Sequence, residues 1–165
     1  MHDGSMDTLD NFLRGGVFGF NNDTERDNVV DFVMAMDSEL APIVGQQITL
    51  SASSGADVQN RIDLLRARAQ ITAPRAECDL VVKGVVDGEQ RGALMLSDGS
   101  YQVDSVEDVL SDAQLRDLVN QNNQTLTFTC VPPGTGTWMG IDRDGDGVFD
   151  RDEIDQGTDP LVPNG

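Results

Sequence analysis

The chain has 165 residues and a formal net charge of −18, with 29 acidic residues against 11 lysines and arginines. A surface this acidic repels nucleic acid and anionic membranes and attracts cations. The sequence contains no apolar run near the roughly 20 residues that span a bilayer. These features argue against nucleic-acid binding and against membrane insertion.

The N-terminal region, residues 1–42, is predicted to be helical. Ser5 or Asp7 is suited to cap a first helix over "TLDNFL", and Thr24 opens a second helix with the capping-box sequence "TERD". The glycine-rich stretch "RGGVFGFNND" between them is predicted to be a loop. The second helix has apolar residues at helical spacing, namely Val29, Val33, Met36 and Leu40.

Residues 43–141 are predicted to form a small α+β domain with a mainly antiparallel sheet and flanking helices. A strand over "QQITLS" precedes an amphipathic helix with the apolar residues Val58, Ile62, Leu65 and Ala69. Three strands follow, "CDLVVKGVV", "QRGALML" and "SYQV", separated by Asp-Gly pairs that favour tight hairpin turns. The segment "SVEDVLSDAQLRDLVNQ" is predicted to be a helix with the apolar residues Val106, Val109, Leu110 and Leu118. A last strand is predicted over "QTLTFTCV".

The two cysteines, Cys78 and Cys130, each lie in a predicted strand of this domain. Their spacing excludes a haem-attachment C-x-x-C-H motif and a zinc knuckle within the chain. In an oxidising compartment they would pair, and the alternative is two buried free thiols. We favour the disulfide, which would bring the two strands close together and contribute about 4 kcal/mol in the loop-entropy model.

The stretch "DRDGDGVFDRDE", residues 142–153, has the layout of a calcium-binding loop. Carboxylates stand at loop positions 1, 3, 5, 9 and 12, and a glycine stands at position 6, where the chain must turn. Position 7 offers its backbone carbonyl, and the glutamate at position 12 offers two oxygens. The predicted Ca²⁺ ligands are Asp142, Asp144, Asp146, Val148, Asp150 and Glu153. The alternative, an acidic solvated turn, does not explain the position of Gly147.

The residues around this loop set further expectations. The preceding segment "FTCVPPGTGTWMGI" is unsuited to the helix that enters an EF-hand, so we expect an EF-hand-like loop without an entering helix. Clustered acids repel one another without metal, and the loop is expected to be poorly ordered until Ca²⁺ binds. Arg143 and Arg151 are expected to point away from the ion. Trp138 is expected to pack at a strand end, and the alternative is an exposed contact residue.

The loop and its tail, "DRDGDGVFDRDEIDQGTDP", resemble the calcium repeats of thrombospondin type 3 and of related bacterial extracellular proteins. In those repeats a "D-x-D-x-D-G-x-x-D-x-x-E" run leads into "G-T-D-P" without an entering helix. The tail residues that match are Gly157, Thr158, Asp159 and Pro160. The resemblance implies that Asp159 adds a ligand or reaches a neighbouring ion. Since the family chains many repeats and this chain has one, it implies a single structural site.

The N-terminal segments "MHDGSMDTLDNFL" and "TERDNVVDFVMAM" are similar to the closing part of bacterial di-haem cytochrome c peroxidase relatives. The matching residues are His2, Asp3, Gly4, Ser5, Thr8, Leu9, Val29, Val30 and Phe32. The haem-attachment motifs of that family are absent from this sequence, so the resemblance implies a cytochrome-like segment whose haem sites lie upstream. His2 is the only histidine, and we assign no catalytic residue; the sequence favours a non-enzymatic role without excluding an enzyme.

These features favour a calcium-stabilised structural or interaction domain, extracellular or periplasmic, which is the C-terminal part of a larger exported protein. The alternative is the C-terminal part of a haem-dependent redox protein. The apolar residues of segment 1–40 are predicted to pack against the upstream module, or against identical copies in a homo-oligomer or filament. The other outcome is that this segment folds back onto the α+β domain. The predicted boundaries are 1–42, 43–141 and 142–165.

Overall fold

The computed structural model describes residues 8–35, 39–121 and 124–164 and has an α+β fold, which confirms the predicted class. The chain forms two compact units, Met1–Glu39 and Leu40–Gly165. No helix in the described part of the chain is long and apolar enough to cross a membrane.

The first unit contains two helices, α1 (Leu9–Leu13) and α2 (Asp23–Met34). Thr8 caps α1 by accepting a hydrogen bond from the backbone N–H of Asn11, at 3.1 Å. The predicted caps Ser5 and Asp7 lie outside the described residues.

The prediction that Thr24 caps the second helix is wrong. Asn22 caps α2, accepting from the backbone N–H of Glu25 at 2.9 Å, and the Glu25 carboxylate accepts from the N–H of Asn21 at 2.7 Å. Glu25 lies three residues after Asn22, which is the spacing that a capping box requires. The helix then ends at Met34, before Leu40, while Met36 lies outside the described residues.

The second unit is built on a six-stranded sheet in which every neighbouring pair is antiparallel, in the order β1-β6-β2-β3-β4-β5. Its strands are β1 (Gln47–Ser51), β2 (Asp79–Val86), β3 (Glu89–Met95), β4 (Tyr101–Val103), β5 (Val109–Leu110) and β6 (Thr125–Val131). Its helices are α3 (Ala56–Ala69), α4 (Asp112–Asp117), α5 (Gly136–Gly140) and α6 (Asp150–Gln156), with a 3₁₀ turn at Leu118–Asn120.

The two faces of the sheet are covered by different elements. Alternate residues of the central strands, such as Leu80 and Val82 on β2 and Phe128 on β6, are buried in the main core. Ile62 and Leu65 of α3 pack into the same core and are fully buried. The opposite face contains Val81 and Lys83 in β2, and α5 contacts β2 and β3 on that face.

The disulfide predicted between Cys78 and Cys130 is present, with a Cα–Cα distance of 5.4 Å. Cys78 immediately precedes β2, and Cys130 lies in β6, where it pairs with Leu80. Both cysteines are buried in the main core. The bond therefore joins two adjacent central strands.

The helix predicted over residues 105–121 is wrong in its first half. Val109 and Leu110 form β5 at the edge of the sheet, and Val106 is exposed. The Gln102 side-chain amide donates to the carbonyls of Val103, Ser105 and Asp108, which holds this segment as a turn. Helix α4 begins only after Ser111, which forms a capping box with Gln114.

Candidate metal centre

The acidic loop lies between two short helices of the second unit. Helix α5 is five residues long and ends at Gly140, so the loop follows a single helical turn rather than a long entering helix. The Asp79 carboxylate holds the start of α5 by accepting from the N–H groups of Gly134 and Gly136, at 2.8 and 2.9 Å. Helix α5 approaches β3 so closely that a Cβ at Gly92 would collide with the Gly140 carbonyl oxygen.

The loop folds the first three acids of the pattern toward one another. One carboxylate oxygen from each of Asp142, Asp144 and Asp146 lies within 4.8 Å of the others, and these residues form a candidate metal-binding group. Gly145 and Gly147 have φ angles of 77° and 93°, in the left-handed region that favours glycine. The turn predicted at Gly147 is therefore present.

Backbone N–H groups hold these carboxylates in place. Asp142 accepts from Gly145 at 2.8 Å and from Gly147 at 3.0 Å, one bond to each carboxylate oxygen. Asp146 accepts from the N–H of Val148 at 2.8 Å. These bonds fix the loop while leaving oxygen lone pairs for an ion.

The last two predicted carboxylate ligands, Asp150 and Glu153, lie in the first turn of α6 and are buried. Asp150 accepts from the N–H of Arg143 at 2.7 Å, and its other oxygen lies 3.4 Å from the Arg143 guanidinium and 3.9 Å from the Lys83 ammonium. The expectation that Arg143 points away from the acids is thus not met. The Arg151 guanidinium instead pairs with Glu89 and Asp155, outside the loop.

Glu153 is the most unusual acid of the site. Its side chain is 0% exposed, and its Oε2 has no hydrogen-bond partner among the described residues. One buried carboxylate oxygen of Asp144, Oδ2, also has no hydrogen-bond partner among the described residues. A buried carboxylate oxygen without a partner is costly, and a bound cation removes that cost.

The acids of the site differ in their electrostatic surroundings. Burial, together with the charges of Asp144 and Asp146, raises the pKa of Glu153. The backbone N–H groups of Val148 and Asn164 lower the pKa of Asp146. A bound cation would favour the ionised form of Glu153 and so offset the rise in its pKa. The oxygen-only donors of the site suit a hard cation such as Ca²⁺.

Asp159, which the resemblance suggested as a further ligand, is exposed and accepts from the N–H of Leu161 at 3.1 Å. It is not part of the group formed by the three loop aspartates. Trp138 lies in α5, which contacts β2 and β3, and its side chain is 53% exposed.

The sequence pattern missed two residues that shape this site. Asp152 accepts from the Ser105 hydroxyl and from the Val106 N–H, each at 2.8 Å, and so joins α6 to the turn after β4. Asn164 donates its backbone N–H to Asp146 and its side-chain amide to Glu153. No loop pattern marks Asn164, because it lies eleven residues beyond the twelfth loop position.

This geometry is that of a compact oxygen-lined loop suited to a divalent cation. Residues 142–163 match the family model of the bacterial TSP3 repeat, which agrees with the resemblance seen in the sequence. No curated protein and no solved structure matches the chain. The resemblance of the N-terminal segment to cytochrome c peroxidase relatives therefore has no support from these comparisons.

Proposed function

We propose that this chain is a calcium-stabilised structural domain of a larger exported protein, in which Ca²⁺ locks the C-terminal segment onto the sheet. The observation that favours this most is that Glu153 Oε2, buried near the aspartate cluster, has no hydrogen-bond partner in the described part of the chain. The match to the bacterial TSP3 repeat supports calcium as the ion. The proposed ligands are the side chains of Asp142, Asp144, Asp146, Asp150 and Glu153 and the carbonyl of Val148.

The proposed role of the ion is structural. Arg151 donates its backbone N–H to the Asp104 carbonyl at 2.8 Å, and Asp152 binds Ser105 and Val106, so α6 is attached to the sheet. An ion that holds Asp150 and Glu153 would stabilise α6, and with it this attachment. Binding would thus be coupled to folding of the C-terminal segment.

Two features support an extracellular or periplasmic location. A disulfide between buried cysteines is typical of proteins that fold in an oxidising compartment. The second feature is the match of residues 142–163 to the bacterial TSP3 repeat, because such repeats occur in extracellular proteins. Both features agree with the exported location that the sequence suggests.

Isothermal calorimetry with the metal-free chain tests the calcium proposal. We expect one Ca²⁺ per chain, weaker binding of Mg²⁺, and a melting temperature that rises with Ca²⁺ and falls again with chelator. If no heat is released and chelation leaves the melting temperature unchanged, the proposal is wrong.

A further inference from the structure

The C-terminal segment 159–164 folds back over the acidic loop. The Asp159 side chain and carbonyl accept from the N–H groups of Leu161 and Val162, at 3.1 and 2.9 Å, and this turn reverses the chain. Thr158 donates both its N–H and its hydroxyl to the Glu153 carbonyl, at 2.9 and 3.1 Å. The segment is therefore directed back toward the loop from the end of α6.

Asn164 is the residue through which this segment reaches the site. Its backbone N–H donates to Asp146 Oδ2 at 2.6 Å, and its side-chain Nδ2 donates to Glu153 Oε1 at 2.8 Å. It thus connects loop position 5 with loop position 12. These bonds occupy one oxygen of each acid, whereas Glu153 Oε2 has no partner among the described residues.

We propose that Asn164 is a positioning residue of the calcium site, and that segment 159–164 is a clasp that closes over the bound ion. The proposal rests on the calcium function proposed above. Asn164 lies just outside residues 142–163, which match the repeat family.

The proposed role of Asn164 is to fix the orientation of the Glu153 carboxylate. Glu153 must present two oxygens to the ion, which requires one fixed rotation of its carboxylate. A donor held on Oε1 fixes that rotation and leaves Oε2, together with the second lone pair of Oε1, available to an ion. The clasp also holds loop positions 5 and 12 together, so its opening would separate two ligands of the ion. Loss of the side-chain amide should therefore speed release of Ca²⁺ more than it slows binding.

The test compares Asn164→Ala with the native chain and with Asn120→Ala. Asn120 is a matched control, since its amide donates to Asp117 at 2.8 Å, away from the loop. Calorimetry gives the Ca²⁺ dissociation constant, and stopped-flow mixing with a fluorescent chelator gives the release rate. Hydrogen bonds to charged groups contribute about 1.5–3 kcal/mol, so Asn164→Ala should weaken binding by about tenfold or more, mainly through faster release. Asn120→Ala should match the native chain.

The outcomes separate the clasp from the calcium function. If the native chain binds Ca²⁺ and Asn164→Ala binds and releases it equally, the clasp is wrong and the calcium function stands. If the native chain binds no Ca²⁺, the calcium function is wrong, and the clasp that rests on it is wrong as well. A variant that melts lower in chelator by as much as it does in Ca²⁺ also overturns the clasp, since Asn164 would then act on the fold alone.

Discussion

Replacing Glu153 by Gln should change the stability of the protein in opposite directions with and without calcium. The side chain is fully buried, and the acids nearby, Asp144 and Asp146, raise its pKa. Gln has the same shape and can still accept from the Asn164 amide. Without Ca²⁺ the substitution removes repulsion, so the melting temperature in chelator should rise.

With Ca²⁺ the same variant should lose most of the stabilisation that the ion gives. At a free concentration one hundred times the dissociation constant, a bound ion stabilises the native state by about 2.7 kcal/mol. For a chain of this size that corresponds to a rise of roughly 5–11 °C in melting temperature. Glu153→Gln should show little of this rise, because the bidentate carboxylate ligand is gone.

Differential scanning calorimetry in chelator and in saturating Ca²⁺ measures both effects. Arg151→Gln is the matched control, since its guanidinium pairs with Glu89 and Asp155 outside the loop, and it should keep most of the calcium-dependent rise. Equal losses in the two variants would mean that the predicted loop register is wrong. A fall in the melting temperature of Glu153→Gln in chelator would refute the argument from repulsion.

Three further predictions concern the rest of the molecule. Asp104→Ala should destabilise the second unit by about 3 kcal/mol in denaturant unfolding, because the buried Asp104 carboxylate accepts from Arg91 and Gly92. The control is Asp63→Ala, which removes the exposed partner of Arg116 and should destabilise the unit by less than about 1 kcal/mol. Equal losses of stability in the two variants would contradict the argument. Mass spectrometry should show Cys78 and Cys130 protected from alkylation until the disulfide is reduced. Reduction should lower the free energy of unfolding by about 4 kcal/mol, by the loop-entropy relation for 52 residues. Alkylation of both thiols in the native chain would contradict this. The packing of segment 1–40 on an upstream module or on identical copies stays a prediction. If identical copies associate, light scattering should show a species larger than a monomer, and Phe32→Asp, at a position that is 64% exposed, should convert it to stable monomers. A native chain that is monomeric at all concentrations would exclude self-assembly.

The sequence predicted the elements whose signals are local and repeated. Alternating apolar residues marked β6, and the Asp-Gly pair at 87–88 marked a hairpin turn in which both residues have positive φ. The helix predicted over residues 105–121 was wrong in its first half, where Val109 and Leu110 form a strand although the apolar residues have helical spacing. The Gln102 amide, whose bonds hold the turn, belongs to the preceding strand.

The candidate site likewise contains residues that a local sequence pattern marks and residues that no local pattern marks. The spacing of the loop acids and Gly147 marked the candidate metal-binding group, because all its determinants lie within twelve residues. Asn164 and Asp152 act through contacts with distant parts of the chain, at Asp146 and Ser105. Such contacts have no fixed spacing, and the sequence alone therefore did not reveal them.

The attachment of α6 to the turn after β4 has a mechanical consequence. A tensile force applied at the C-terminus would first meet the bonds from Asn164 to Asp146 and Glu153. It would then meet the bonds from Asp152 to Ser105 and Val106 before it reached the central strands. Behind them, the disulfide would stop β2 and β6 from sliding apart. The acidic loop and α6 would thus yield at a lower force than the sheet, and an ion bound in the loop, as proposed, would raise that force.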